Sequence, residues 1–477
     1  MKSKSIYLFT AICLGICNQA FAQKQTWNLK QCIEYAIEHN LNVSQSELNS
    51  DNLKLTQKQN YWQLLPNLNG GATHAYNIGR RIDPFTNTFA NSTVRSNNFF
   101  LNSSVTLFNG LQQQYTIQQG NFDYKASQHD LDKLKQDISL SVASAYLNVL
   151  FSLELVENAH RQKDITQSQR DRMVKLVDAG SVAKGNLYDI ESQLATEELN
   201  VVTAENQVNL SYLSLTMLMN LPEGTDFTVD KPEIVIPADN LLQQTPGQIY
   251  LTALKLQPDI KSTEMKEFSA KSQLNVARGT SMPQLTLSGS IGTGFSGLSK
   301  DITVTDTTFS VYKNGYTSGG QDVFTIVPQA IYSTKTQSFG KQFNDNVNKN
   351  ISFNLTIPIF NQFQSRTGIN RAKIALKNAQ LNSDIKKQNL DRTIQQAYAD
   401  AKAALNTFEA SKKTVTALNE SFRYSEQRYN AGAINVLDYN TAKTRLTNAE
   451  SNLLRSKYDL VYKLKVLDLY QGGSLGL

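Results

Sequence analysis

The sequence predicts a mostly α-helical chain that also carries membrane β-strands, with four strands and two long helical hairpins set out as two similar halves. Three observations predict this. Short segments alternate apolar and small polar side chains. The stretches between Gly120 and Gly180 and between Gly368 and Gly432 hold neither proline nor glycine. Matching residues recur at fixed spacing along the chain.

The N-terminus opens with Lys2 and Lys4, followed by the apolar run Ile6–Cys17 and the small-x-small triplet Ala20-Phe21-Ala22. That order predicts a secretory signal over residues 1–22 and a mature chain starting at Gln23. The run is too short to span a bilayer. Cys13 and Cys17 follow Ile12 and Ile16, not the small residue that lipidation needs. Only Cys32 then remains, which excludes an internal disulfide or a cysteine-built metal site. No later stretch reaches ~18 apolar residues, so no membrane-crossing helix is expected. The net charge of +6 is spread over 477 residues without a basic patch, which argues against nucleic acid as a partner.

Two registers align the halves. Ala36, Val43, Pro66 and Leu68 match Ala253, Ile260, Pro283 and Leu285 at an offset of 217. Phe99, Phe108-Asn109, Tyr146 and Ala179-Gly180 match Ile351, Phe360-Asn361, Tyr398 and Ala431-Gly432 at an offset of 252. One insertion in the polar stretch Ser296–Asn350 accounts for the change of register. Residues 23–220 and 248–470 then each read helix, strand, loop, strand, long helix, turn, long helix. The proline-rich segment 221–247 links them and 471–477 forms a tail.

The strands are expected in pairs, 67–79 with 98–108 and 283–295 with 351–360. Leu285, Leu287 and Ile291 alternate with Gln284, Thr286, Ser288 and Ser290; Ile351, Phe353, Leu355 and Ile357 alternate with Ser352, Asn354 and Thr356. Leu68, Ala72 and Tyr76 against Asn67, Asn69 and Thr73 repeat the pattern more weakly. Period two over ~9–11 residues suits a membrane strand, apolar to lipid and polar to a lumen. A sandwich strand has the same period. The small uncharged polar faces and the aromatics near the strand ends (Tyr61, Trp62, Phe108, Phe360, Phe363) favour the membrane.

The helical hairpins are expected over 111–219 and 363–470. Their apolar residues follow coiled-coil threes and fours, as in Leu131, Leu134, Ile138 and Val142 going out and Leu187, Ile190, Leu194, Val201, Ala204 and Val208 returning. Gly180 and Gly432 mark the reversals, where a left-handed backbone suits glycine.

Four strands cannot seal themselves in lipid. Each unpaired backbone group in hydrocarbon costs several kcal/mol, and the smallest single-chain barrels use about eight strands. Several copies must share one wall: two give eight strands, and three give twelve with room for a lumen.

At this point the chain resembles the TolC-like outer-membrane efflux proteins. Leu29-Lys30-Gln31-Cys32-Ile33-Glu34-Tyr35-Ala36 is similar to the family's first periplasmic helix. Leu65-Pro66-Asn67-Leu68 and Met282-Pro283-Gln284-Leu285 are similar to its strand entries, and Val105-Thr106-Leu107-Phe108-Asn109-Gly110 and Ile357-Pro358-Ile359-Phe360-Asn361 to its strand exits. The resemblance covers nearly all of the mature chain. It implies a homotrimer in the outer membrane of a Gram-negative bacterium, with a twelve-stranded β-barrel continued by a twelve-helix periplasmic α-barrel. The linker would lie at an equatorial collar. A periplasmic adaptor protein and an inner-membrane transporter are the implied partners, with outer-membrane lipid around the barrel.

The family closes its tunnel near the second hairpin turn, with a tyrosine before the turn glycine and an acid after it. The matching residues are Tyr429 and Asp438. Three Asp438 carboxylates would ring the axis and prefer cations; Asp438 is equally suited to the N-terminus of the return helix. The acid that would meet the tyrosine is Asn186 here, and Ile434 and Thr441 replace an arginine and a second acid, so an ionic lock is not expected. No catalytic, cofactor or metal site is predicted. His39, His74, His129 and His160 lie far apart, Gly289–Lys300 lacks the GK[ST] of a phosphate loop, and Glu197-Glu198 read as a solvated helix face. A structural coiled-coil stalk or adhesin is the competing reading, distinguished by having no use for amphipathic strands.

Overall fold

Residues 25–82, 87–90, 93–222, 224–225, 227–232 and 242–473 are described in the structure, a computed structural model. The expected signal segment, part of the linker and the end of the tail lie outside the described residues. In chain order the described residues form β1 (Gln25–Trp27), α1 (Leu29–His39), α2 (Leu41–Trp62), β2 (Asn67–Asn77), β3 (Arg81–Ile82), β4 (Phe89–Ala90), β5 (Val94–Phe108), α3 (Gln112–Asp178), α4 (Lys184–Met219) and β6 (Phe227–Val229). They continue with α5 (Pro246–Leu256), α6 (Pro258–Gly279), β7 (Gln284–Ser296), β8 (Lys300–Tyr316), β9 (Asp322–Thr336), α7 (Phe339–Asp345), β10 (Asn348–Thr356), α8 (Gln364–Asn430) and α9 (Val436–Tyr470).

The chain divides into two units. The first holds the described residues up to Leu55, Gly120–Ala270 and Ala375–Leu477. Here α1 starts in a complete capping box between Asn28 and Gln31, and α5 in another between Thr245 and Gln248. Each box satisfies two of the backbone donors that a helix start leaves open. Both helices stop after 11 residues. Asn40 turns its Oδ1 forward to accept from the Asn42 N–H (2.9 Å) and so caps α2; Gln257 precedes Pro258, which disfavours helical backbone. The single helix expected at the start of each half is therefore two.

Two apolar cores hold this unit. Trp27, Cys32, Ala36, Tyr146, Leu150, Leu215 and Phe227 form one, and Ile249, Ala253, Ile260, Ile394, Leu460 and Leu464 the other. Each fully buried aliphatic side chain contributes about 1.5–3 kcal/mol. A tyrosine meets the chain ahead of each capping box: Tyr146 Oη faces the Trp27 carbonyl at 3.3 Å while donating to that of Asp230 (2.7 Å), and Tyr398 Oη donates to that of Leu242 (3.1 Å). Helix α3 contains an 18-residue window apolar enough to cross a membrane by length and composition, contrary to the expectation from the sequence. The same helix supplies Val142, Tyr146, Leu147, Val149 and Leu150 to the first core, which accounts for its apolar character.

The second unit comprises Thr56–Gln119 and Lys271–Ile374. Its main sheet is antiparallel in the order β10-β7-β5-β2. The register lines up Asn67, Ser104, Ser288 and Ser352 in one row across all four strands, and Asn69, Asn102, Ser290 and Asn350 in the next row on that face. The opposite face is apolar and open, with Leu68 at 72% and Ile351 at 79% exposure. β2 and β10 are its two edges. The exits to α3 and α8 each use two successive left-handed residues: Gly110 and Leu111 (φ 67° and 63°), Gln362 and Phe363 (φ 54° and 60°). Gly110 is required as glycine, because a Cβ there would lie 2.7 Å from the Gly279 carbonyl.

Several expected bounds differ. Strand 67–79 ends at Asn77, and 98–108 begins already at Val94 opposite Asn77. Strand 351–360 occupies Asn348–Thr356 instead: Thr356 meets Gln284, the first residue of β7, and Pro358 beyond it has no N–H to offer. The linker expected to reach residue 247 gives way to α5 at Pro246. The largest difference lies in the insertion, expected as a loop. Lys300–Tyr316 and Asp322–Thr336 pair there as a long hairpin, so each chain carries more than four strands.

Candidate functional site

Both helical reversals close in the same way. After α3, the Gly180 N–H donates to Val177 O and the Ser181 N–H to Leu176 O (both 2.9 Å), with Gly180 at φ 69°. After α8, Gly432 donates to Tyr429 O (3.0 Å) and Ala433 to Arg428 O (2.8 Å), with Gly432 at φ 74°. These paired bonds around a left-handed residue satisfy the last carbonyls of each helix. The returns then differ. α9 starts on Asn435, whose Oδ1 accepts from the Asp438 N–H at 2.8 Å, whereas α4 starts on Ala183 with no side-chain cap.

A cavity of about 860 Å³ opens among these four helix ends. Asn186 and Tyr429 line it together with Arg172, Glu426 and Tyr439. Asp438 is not in that wall; it stands exposed in the first turn of α9, a position that favours a carboxylate. The structure therefore brings two of the three expected gate residues together. Tyr429 packs its ring on Tyr439 at 4.7 Å, and the Tyr439 hydroxyl accepts from Gln169 of α3. Arg172 Nη1 donates to Asn430 Oδ1 at 2.6 Å. Burial raises the Tyr439 hydroxyl to about 12, partly offset by the Gln169 bond. Burial also raises Tyr429, against the opposing charge of Arg172. Both rings stay neutral near pH 7 and act by packing and hydrogen bonding.

Deeper in this unit lies a group that the sequence reading missed. Lys443 of α9 is buried, and its Nζ donates to Glu197 Oε1 of α4 (3.3 Å), to Gln162 O (3.3 Å) and to Thr166 Oγ1, both of α3. Glu197 also accepts from Gln193 Nε2 (2.8 Å) and Asn200 Nδ2 (3.2 Å). The expected solvated face at Glu197-Glu198 is corrected: Glu198 is exposed, but Glu197 sits inside the helix bundle. Burial pushes the Lys443 amine down and the Glu197 carboxylate pulls it back up. The pair ties the second hairpin to the first, further along the helices than the turn. A signal was present in the spacing. Glu197 fills the gap in the Ile190, Leu194, Val201, Ala204 series, and Lys443 stands three before Leu446, so both occupy seam positions of their helices.

Among the described residues, no group of three or more His, Cys, Asp or Glu is placed to hold a metal ion. An amphipathic sheet with two open edges, joined in one chain to helical hairpins of 67 and 36 and of 67 and 35 residues, defines the subunit class of an outer-membrane channel. Comparison with known proteins gives the family. The outer membrane efflux protein family matches residues 32–221 and 249–473, and the chain belongs to it. It is an outer-membrane efflux protein that extends into the periplasm, and it is not an enzyme. It is 22% identical to the outer membrane protein TolC of Escherichia coli, over 95% of this chain and 84% of that one. It is 21% identical to the toxin and drug export protein A of Aggregatibacter actinomycetemcomitans, over 78% and 72%. Solved structures share the fold. The outer membrane protein VceC of Vibrio cholerae superposes with a TM-score of 0.73 at 15% identity, over 94% of this chain and 96% of that one. The open state of the Neisseria gonorrhoeae MtrE channel gives 0.67 at 19%, over 94% and 89%.

Proposed function

We propose that three copies form a passive exit duct, the four-stranded sheets joining edge to edge as a twelve-stranded barrel and the helical hairpins as a twelve-helix periplasmic tunnel. Residues 23–220 and 248–470 act as duplicated halves around the equatorial linker, after removal of the signal segment. The observation that carries the reading is the four-stranded sheet, polar in rows on one face, apolar and exposed on the other, and unpaired at β2 and β10. Such a sheet is satisfied in lipid only inside a closed wall.

Transport draws its energy from partners, a periplasmic adaptor and an inner-membrane transporter, which meet the duct at its helical end. The cavity at the hairpin turns, lined by Tyr429 and Asn186, is the gate, held by ring packing and by the Lys443–Glu197 pair. Asp438 sets ion preference at the mouth. A coiled-coil stalk would share the helices but would leave the sheet without a role. Planar-bilayer recordings test the duct: discrete conductance steps from heat-modifiable oligomers are expected, and a non-conducting, detergent-independent rod would overturn the reading.

A further inference from the structure

The β8–β9 hairpin, of 17 and 15 residues, forms a two-stranded sheet of its own. Cross-strand partners share a face, so the register assigns each side chain to one side. Val304 opposes Tyr332, Phe309 opposes Pro328, and Val311 opposes Ile326. On β9, residues 332, 328 and 326 differ by even steps and stand on one face. On β8, Val304 and Phe309 differ by an odd step and would fall on opposite faces. A bulge between Val304 and Asp306 inserts one extra residue and restores the frame, gathering all six on one side. The other side is mixed, with Thr303 opposite Ser333 and Thr308 opposite Gln329 beside the less exposed Val323, Val327, Ile331 and Tyr312.

This apolar face is uncovered. Val304, Phe309, Val311, Ile326 and Tyr332 are each at least 60% exposed. With Ile302 and Phe324 they offer on the order of 700 Å² of apolar surface, close to the ~800 Å² each partner gives a standard interface. A lone chain rarely leaves more than a few hundred Å² of such surface open, and a lone two-stranded hairpin is marginal in water. Charge on this face is confined to its ends, with Lys300 opposite Thr336 at the root and Lys313 and Asp322 near the tip. Lys313 is paired with Asp322 at 2.5 Å, Asp301 with Lys341 at 2.5 Å at the root, and Asp306 stands opposite Ile331 on the other side. Pro328 removes a backbone donor from β9, so association through the face is favoured over pairing along that edge.

The root is held firmly. Gln342, fully buried, accepts from the Ser296 N–H (2.9 Å) and donates to Ser296 O (3.0 Å), as a neighbouring strand would. The hairpin leaves the sheet from the end where β7 finishes and β10 begins, away from the ends that join α6 and α8. Copies sharing one wall therefore bring their hairpins to one rim at one height.

We propose that the β8–β9 hairpin is a self-association element, its apolar face packing on the same face of other copies as a collar beyond the barrel. This rests on the assembly proposed above. The test uses the full chain in detergent and in vesicles of phosphatidylcholine. Val311→Cys is expected to give disulfide-linked dimers, and Ser310→Cys on the opposite face to give none. Phe309→Asp with Val311→Asp is expected to lower the temperature at which the oligomer dissociates on gels while its mass by light scattering stays that of the assembly. Two results overturn the proposal while leaving the assembly intact. One is an oligomer of normal mass in which Val311→Cys never links. The other is quenching of a bimane on Val311→Cys by nitroxide-labelled phosphatidylcholine, which assigns the face to lipid. A monomeric mass for the unaltered protein removes the assembly reading itself.

Discussion

Replacing Lys443 with methionine keeps the apolar stem and removes the ammonium, leaving Glu197 buried without its charge partner. Removal of one member of a buried pair typically costs 3–5 kcal/mol, because the other charge is left uncompensated. Gln193 and Asn200 still donate to Glu197 at 2.8 and 3.2 Å, which places the expected loss at the lower end, about 3 kcal/mol. The pair joins α9 to α4 and α3, so the loss should appear as local opening of α9. Hydrogen exchange measured by mass spectrometry over residues 436–446 is then expected to speed up on the order of a hundred-fold, since 1.4 kcal/mol is about ten-fold. Adding Glu197→Leu removes the stranded carboxylate, and the double variant should recover most of the protection. Unchanged exchange in Lys443→Met, or no recovery in the double variant, would refute the latch.

Other predictions concern the mouth, the strand exit and alkaline pH. Asp438→Asn should reduce the cation preference of single channels, and unchanged selectivity would leave Asp438 with only its helix-end role. At Gly110 (φ 67°) an added Cβ would lie 2.4 Å from Met282 Cβ and 2.7 Å from Gly279 O, whereas at Gly180 (φ 69°) nothing lies within 4 Å. Gly180→Ala should therefore cost only the left-handed strain of about 1–2 kcal/mol; Gly110→Ala should cost more and lower the yield of folded oligomer on gels. Burial raises the Cys32 thiol from 9.0 to about 12. The folded state thus holds its proton where the unfolded chain has lost it, so stability falls as pH rises from about 9 towards 12. Melting temperatures over that range should drop, and less steeply in Cys32→Ser.

The sheet and the long helices were legible because their periods are uninterrupted. The even residues of β7 are small and polar from Gln284 to Ser290, and neither proline nor glycine breaks α8 after Gly368. The β8–β9 hairpin was hidden by its own bulge: at Thr305 the alternation changes phase, so a count of period two fails across a strand that is continuous in space. The start of β5 was missed because Arg95, Ser96 and Asn97 have little strand preference and are held by pairing with β2. At the hairpin turns, Tyr429 and Asn186 came from resemblance and share one cavity wall. Lys443 and Glu197 stood at seam positions where a charge reads as a flaw in the pattern, and only their proximity across two hairpins gives them a purpose.

Native mass spectrometry of the protein extracted from outer membranes in mild detergent asks the central question most directly. Particles of three chains are expected, because one chain brings a sheet with two open edges. A single-chain particle that stays in solution once detergent is removed would contradict the shared wall and the duct built on it.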